Sequence, residues 1–159
     1  MLHKERNNLN KNYFARKNPR LKDYDYTLGG YYFITICTEN KIQYFGKIVE
    51  GKMKLNDVGK LAYSNIEKLE KIYNNVKIEK FVVMPNHIHL ILIIDKKTDL
   101  NISRIVKQYK EWITKIIKKR IWQKSYYDHI IRNEKDYLRI WQYIDENIIK
   151  WNLDKYYSE

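Results

Sequence analysis

An apolar run near the middle of the chain, residues 81–94, contains two histidines separated by a single residue. In an extended strand successive side chains point to opposite faces, so His87 and His89 share one face about 7 Å apart. The surrounding positions are mostly Val, Ile, Leu and Met, which is typical of a strand buried on both faces. Buried imidazoles need partners. The pattern therefore predicts a buried β-strand that carries either a metal-binding or catalytic pair, or two hydrogen-bonded structural histidines.

The charge of the chain is strongly positive and unevenly distributed. Over 159 residues, 31 Lys and Arg against 19 Asp and Glu give a net charge of +12. Residues 1–22 contain seven basic residues and one acidic residue, and residues 101–125 contain eight basic residues and one acidic residue. A Lys-, Asn- and Ile-rich composition contributes to the total, but charge grouped in this way favours a polyanionic partner.

The chain length and the single cysteine limit the possible classes of protein. A chain of 159 residues favours one domain with a sizeable core. Cys37 is the only cysteine, which excludes an intramolecular disulfide and zinc sites built from several cysteines. The N-terminal residues are polar and no apolar stretch approaches 18 residues, so we expect neither an export signal nor a membrane span. These features predict a cytoplasmic protein.

Periodicity and turn residues predict an order of elements. A basic arm over residues 1–22 precedes a single domain over residues 23–159. The hydrophobic pattern alternates between the two-residue period of strands and the 3.6-residue period of helices. It predicts strands at 31–38, 43–49, 52–55, 76–84, 87–94 and 126–131, and helices at 57–73, 101–121 and 134–150. This order predicts an α+β fold with a ferredoxin-like antiparallel sheet and helices packed mainly on one face.

The last predicted helix places a phenol beside a carboxamide. Tyr143 and Asn147 are four residues apart and therefore lie on one helix face. Together they offer a nucleophile next to an oxygen ligand, although a tyrosine in a helix is more often part of the core. On chemistry alone Tyr126, Tyr127 and Tyr137 are rival nucleophiles. His129 could contact the site or a ligand, but a structural role is favoured.

Several separated motifs, in this order, resemble one family. The sequence His87-Ile88-His89 follows Val82-Val83-Met84-Pro85-Asn86, and Tyr143-Ile144-Asp145-Glu146-Asn147 follows downstream. Residues 20–26, 32–38 and 122–133 extend the similarity over nearly the whole chain. Together they resemble the HUH single-tyrosine transposases, and within them the REP-associated tyrosine transposase (RAYT-like) branch. One departure is visible, because Asn147 is followed by Ile148 where many relatives have proline.

The resemblance implies a set of roles. It implies that His87 and His89 bind a divalent metal with Asn147 as third ligand, and that Tyr143 is the nucleophile. The implied product is a 5′-phosphotyrosine with a free 3′-OH. Another 3′-OH can then attack the phosphotyrosine and rejoin the DNA without a nucleotide cofactor. The implied metal is Mg²⁺ or Mn²⁺, and two imidazoles favour Mn²⁺.

The resemblance also implies partners. It implies single-stranded or hairpin DNA as substrate and a homodimer as assembly. We expect basic side chains on the arm and on the predicted helix 101–121 to bind this DNA: Arg16, Lys17, Arg20, Lys22, Arg104, Lys107 and Lys110. Two other interpretations remain open at this point, a non-catalytic nucleic-acid-binding protein that keeps the fold and a metal-dependent nuclease that uses water in place of the tyrosine.

Overall fold

The computed structural model describes residues 30–95 and 100–159. The predicted basic arm, with Arg16, Lys17, Arg20 and Lys22, lies outside the described residues. The strands of the described part are β1 Gly30–Cys37, β2 Gly46–Val49, β3 Lys52–Leu55, β4 Val76–Val83, β5 His87–Ile94 and β6 Tyr127–Ile131. The α-helices there are α1 Asp57–Ile72, α2 Ile102–Ile117 and α3 Glu134–Glu146.

Four strands form one antiparallel sheet in the order β4-β5-β1-β6. Strands β2 and β3 pair separately as a small hairpin. With that hairpin set aside, the chain runs β1-α1-β4-β5-α2-β6, which is the ferredoxin-like arrangement of two βαβ units. The predicted fold class is therefore confirmed.

The two faces of the sheet are covered by different helices. On one face, Ile34, Ile36 and Leu90 join the main core with the apolar residues of α1 and α2. On the other face, Phe33 and Ile91 pack with residues of α3. Two of the three described α-helices thus share a face, and the third covers the face to which the odd-numbered residues of β5 belong.

The largest differences from the predicted boundaries are at helix ends. Helix α2 ends at Ile117 because Lys118 adopts a left-handed conformation with φ 55°, four residues before the predicted end. Ile116 continues the apolar spacing of this helix but is 58% exposed in its last turn. Helix α3 ends at Glu146 with Asn147 as its C-cap, and not at residue 150 as predicted. Within the described residues, no helix combines the length and apolar character needed to cross a bilayer.

Helix α1 packs closely at Gly59 against the backbone of Phe45, the residue just before β2. A Cβ at this position would lie 2.0 Å from the carbonyl oxygen of Phe45. Alanine normally stabilises a helix interior by about 1 kcal/mol relative to glycine. Here we expect Gly59→Ala to lower the free energy of unfolding by at least about 2 kcal/mol, because backbone must move. Urea denaturation measures this, with Lys68→Ala on the exposed side of α1 as a near-neutral control.

Candidate metal and nucleophile site

The two histidines begin strand β5 and are both completely buried. In the register of the sheet, His87 is opposite Cys37 and His89 is opposite Thr35. Because β5 is flanked by β1 and β4, it is an inner strand of the sheet. Both imidazoles lie on the α3 side, with ring centroids 4.6 Å apart. The sequence prediction of a buried strand with both histidines on one face is confirmed.

Each imidazole is held through its Nδ1 atom. His87 Nδ1 lies 2.8 Å from Asn86 Oδ1, and His89 Nδ1 lies 2.8 Å from Thr35 Oγ1. The amide of Asn86 donates through Nδ2 to the carbonyl oxygen of Tyr156 at 2.7 Å, so its Oδ1 serves as an acceptor. His87 therefore donates from Nδ1, and its Nε2 carries a lone pair. This Nε2 atom is buried and makes no hydrogen bond within the described residues.

Two oxygen-bearing side chains complete the cluster. The carboxylate of Asp154 lies 3.8 Å from His87 Nε2, and the possible ligand atoms of His87, His89 and Asp154 all lie within 4.8 Å of one another. Asn147 Nδ2 donates to Asp154 Oδ2 at 3.0 Å. Asn147 Oδ1 is buried and, among the described residues, has no hydrogen-bond partner. The cluster thus presents two imidazole nitrogens, a carboxylate and an amide oxygen.

Burial sets the charge state of the histidines. Burial, followed by the repulsion that a protonated His89 would exert, holds the pKa of His87 well below its usual range, and the nearby Asn147 acts in the opposite direction. Burial alone lowers the pKa of His89 to about 3. Both rings are therefore neutral at physiological pH, which is the protonation state that a metal ligand requires.

Tyr143 on α3 faces the histidine pair. Its hydroxyl lies 3.4 Å from His89 Nε2, and its ring packs edge-on against Phe33 with centroids 6.0 Å apart. Burial, followed by the negative charge of Asp154, raises the pKa of the Tyr143 phenol above its ordinary value. The phenol is thus protonated at neutral pH, and its ionisation requires nearby positive charge.

The rival tyrosines have other neighbours. The Tyr126 hydroxyl lies 2.9 Å from Ser103 Oγ, and the Tyr137 hydroxyl donates to Glu79 at 3.0 Å. Tyr127 packs against the apolar cluster of Cys37 and Met84. The structure therefore brings Tyr143, of these four tyrosines, into contact with His89.

His129 has a structural partner. Its Nε2 lies 2.6 Å from Asp136 Oδ2, and Arg139 donates to the second oxygen of that carboxylate at 2.6 Å. Although burial opposes it, contact with His129 and Arg139 lowers the pKa of Asp136. This network joins β6 to the first turns of α3 and matches the structural role that was favoured for His129.

The predicted DNA-binding residues of α2 differ in their surroundings. Arg104 and Lys107 are exposed. Lys110 is partly buried, and its ammonium group donates to the carbonyl oxygens of Gln123 and Ser125, both at 2.8 Å. Burial lowers the pKa of Lys110 to about 8. Lys110 thus fastens the segment that follows α2.

Two residues of the site were missed by the sequence analysis. Asp154 and Tyr156 lie beyond the last α-helix, and the Tyr156 ring packs 4.4 Å from the ring of His87. Tyr156 is bound to the site by its carbonyl oxygen, through Asn86. The periodicity of a helix or a strand does not predict that these two positions lie beside β5. The available signal was a carboxylate within an aromatic-rich segment soon after the tyrosine helix.

Comparison with known proteins finds a transposase among the sequence relatives of this chain. No protein-family model matches the chain. It is 37% identical over 91% of its length to an uncharacterised protein of Haemophilus influenzae Rd, covering 94% of that protein. It is 34% identical to the REP-associated tyrosine transposase of Escherichia coli K12 over 52% of this chain and 50% of the relative.

Solved structures agree with the sequence relatives. A REP-associated tyrosine transposase bound to a REP hairpin superposes with a TM-score of 0.68 at 25% identity, over 86% of this chain and 76% of that one. A proposed transposase from Deinococcus radiodurans R1 shares the fold at 19% identity, with a TM-score of 0.50 over 80% of this chain and 95% of that one. The fold and the sequence relatives place this chain among transposase-like proteins. More specifically, it belongs to the RAYT-like transposase family.

Proposed function

We propose that this protein is a metal-dependent DNA transesterase that nicks and rejoins single-stranded or hairpin DNA through a 5′-phosphotyrosine on Tyr143. The observation that carries the proposal is the distance of 3.4 Å between the Tyr143 hydroxyl and His89 Nε2, inside a buried cluster of metal-ligand types. Tyr143 and Asn147 are four residues apart at the end of α3. The phenol and the amide oxygen therefore lie on the same side of the helix.

The donor set fits a divalent metal. His87 Nε2 and Asn147 Oδ1 are buried polar atoms without hydrogen bonds among the described residues, and such atoms are costly unless a ligand satisfies them. His87, His89 and Asp154 would hold the ion, and Asn147 would add an amide oxygen. Mixed nitrogen and oxygen donors suit Mn²⁺ or Mg²⁺, with the imidazoles favouring Mn²⁺. When bound, the ion would supply positive charge beside the scissile phosphate.

The chain's own residues perform the bond exchange. The Tyr143 oxygen forms a bond to the phosphorus, and the bond from that phosphorus to the 3′-oxygen of the preceding nucleotide breaks. The phenol gives up its proton, and the departing 3′-oxygen gains one. Phe33 of β1, which packs edge-on against the Tyr143 ring, would fix the position of the phenol before attack. The bond energy is retained in the phosphotyrosine, so a second 3′-OH can reverse the step.

Basic residues would hold the DNA. Arg104 and Lys107 are exposed cations on α2, and the arm residues Arg16, Lys17, Arg20 and Lys22 would extend this contact. The structural neighbour is bound to a REP hairpin, which supports a hairpin substrate for this chain. We also propose that the protein works as a homodimer, as expected from the family resemblance.

The test is the formation of a covalent protein–DNA adduct. Purified protein is incubated with labelled hairpin oligonucleotides from the flanks of its own gene, with Mn²⁺ or with EDTA. We expect an adduct that resists denaturation in Mn²⁺ only and is lost in Tyr143→Phe, because the phenylalanine ring keeps the packing but lacks the attacking oxygen.

Tyr137→Phe is the matched control, since it removes a hydroxyl on the same helix that contacts Glu79 and not the histidines. It should retain the adduct. Cleavage without an adduct would replace the proposal by a nuclease that uses water. Binding without cleavage of any flanking hairpin would replace it by a non-catalytic DNA-binding protein.

A further inference from the structure

A groove of about 490 Å³ lies between α2 and the segment 120–126 that leads into β6. Four cationic side chains line it, Lys107 and Lys110 from α2 and Arg120 and Lys124 from the segment. Glu111 is the acidic residue among the lining residues. This surface, called the α2 groove below, is separate from the cluster of buried histidines.

The groove retains unneutralised positive charge. Lys107 is 77% exposed along its side chain and lies 3.8 Å from Glu111, a distance at which an exposed pair contributes little. Arg120 and Lys124 are exposed. Lys110 is occupied by two backbone carbonyl oxygens and acts as a support for the groove wall. Three exposed cations against one carboxylate favour an anionic occupant.

Backbone contacts link the groove to the end of the sheet that carries the histidines. Gln123 N donates to the carbonyl oxygen of Cys37 at 2.9 Å, and Glu39 N donates to that of Ile121 at 2.8 Å. Cys37 is the residue paired with His87 in the sheet. The wall of the groove is therefore attached directly to the strand end beside the proposed reaction centre.

The size and lining of the groove point to an unpaired strand. A cavity of this volume accepts a drug-sized molecule, which corresponds to about one or two nucleotides of a single strand. Trp122 also lines the groove and is partly exposed. Cations that track a backbone beside an aromatic side chain are the usual means of holding single-stranded DNA.

We propose that the α2 groove binds backbone phosphates of an unpaired DNA strand that continues from the hairpin bound at the site. This inference rests on the proposed function for the identity of the DNA. It assigns Lys107, Arg120 and Lys124 to the unpaired strand, and it adds two residues outside the helix to those expected from the sequence.

The test measures binding and needs no reaction. Fluorescence anisotropy in EDTA compares a labelled hairpin carrying single-stranded extensions with the same hairpin without them. The variant Lys107→Ala/Arg120→Ala/Lys124→Ala removes three groove cations. The control Lys60→Ala/Lys68→Ala/Lys71→Ala removes three exposed cations from α1, so both proteins have the same net charge.

We expect the groove variant to bind the extended hairpin roughly tenfold or more weakly, with the slope of log affinity against log salt reduced by about two. Its affinity for the hairpin without extensions should fall by no more than about threefold, because Lys107 alone of the three residues is also proposed to contact the hairpin. The α1 control should bind both DNAs within about twofold of wild type. Circular dichroism melting checks that both variants are folded.

Equal losses of affinity for the extended hairpin in the groove variant and the α1 control would overturn the proposal, because net charge alone would then explain them. Equal losses on the two DNAs would overturn it as well, since the groove would then contact the hairpin stem. The outcome is independent of the adduct experiment. Groove-dependent binding without any adduct would refute the proposed chemistry alone, and an adduct without groove-dependent binding would refute the groove alone.

Discussion

His89→Ala should abolish both metal binding and adduct formation. His89 is completely buried and lies between Thr35 and the Tyr143 hydroxyl, so its removal takes away a ligand and the neighbour of the nucleophile. Charge stabilisation by a metal is worth several kcal/mol, which corresponds to a rate loss of roughly 10³-fold. Adduct formation on the labelled hairpin measures the rate.

Metal binding has its own measurement. For wild-type protein, Mn²⁺ at 100 times its Kd should raise the free energy of unfolding by about 2.7 kcal/mol, seen as an increase in Tm. His89→Ala should show no such increase. Since the alanine leaves a cavity, His89→Gln serves as a second variant that preserves a polar side chain beside Thr35. An unchanged Mn²⁺-dependent rise in Tm in both variants would rule out His89 as a ligand.

Thr35→Val provides a graded comparison. It keeps the shape of the side chain and removes the hydroxyl that lies 2.8 Å from His89 Nδ1. The loss of such a supporting contact typically costs 10–100-fold in metal affinity or activity. We therefore expect the Mn²⁺ affinity and the rate of adduct formation of Thr35→Val to lie between those of wild type and those of His89→Ala.

Asp154→Asn should weaken metal binding by about tenfold or more and also destabilise the fold. The new amide group would face the Asn147 amide nitrogen, which now donates to Asp154 Oδ2 at 3.0 Å. Either two donors then meet, or the Asn147 amide turns over and its Oδ1 is withdrawn from the metal-binding cluster. An unsatisfied buried polar group costs about 1–3 kcal/mol. The second contact of Asp154, from the backbone N–H of Tyr156 to Oδ1 at 2.8 Å, can persist in the variant. Calorimetric titration with Mn²⁺ and urea denaturation measure the two effects.

Exchanging the two side chains separates these effects. In Asn147→Asp/Asp154→Asn the amide at position 154 can donate to a carboxylate at position 147, which restores the hydrogen bond with reversed polarity. We expect its stability to recover to within about 1 kcal/mol of wild type. Metal binding should recover in part, because one carboxylate remains in the cluster. Full Mn²⁺ affinity in the single variant Asp154→Asn would show that this carboxylate is not a ligand.

The sequence identified the elements whose signal is local. The continuous apolar run of β5 and the 3.6-residue stripe of α1 were read correctly, and so was the shared face of His87 and His89. The family resemblance, and not a local pattern, pointed to Tyr143. The ends of α2 and α3 were predicted too far along the chain. Lys118 adopts a left-handed conformation without the glycine that usually announces it, and nothing in the residues after Asn147 requires the helix to stop.

The rest of the site depends on contacts between distant parts of the chain. Asp154 reaches His87 because the short 3-10 helix Trp151–Leu153 follows α3 and because Asn86 binds the carbonyl oxygen of Tyr156. The role of Lys110 likewise depends on how the segment after α2 folds back along that helix. Periodicity within one element carries no information on such pairings.

The register between β1 and β5 limits where this chain can change in length. One residue inserted in β1 between Thr35 and Cys37 would turn part of that strand over, because side chains alternate between faces. Thr35 or Cys37 would then move to the α1 and α2 face and leave its histidine without the present neighbour. The turn Glu50–Gly51 faces no such restriction, since a side chain added at Gly51 meets open space. Relatives should therefore vary in length at the β2–β3 hairpin and keep a constant count of residues through β1 and β5.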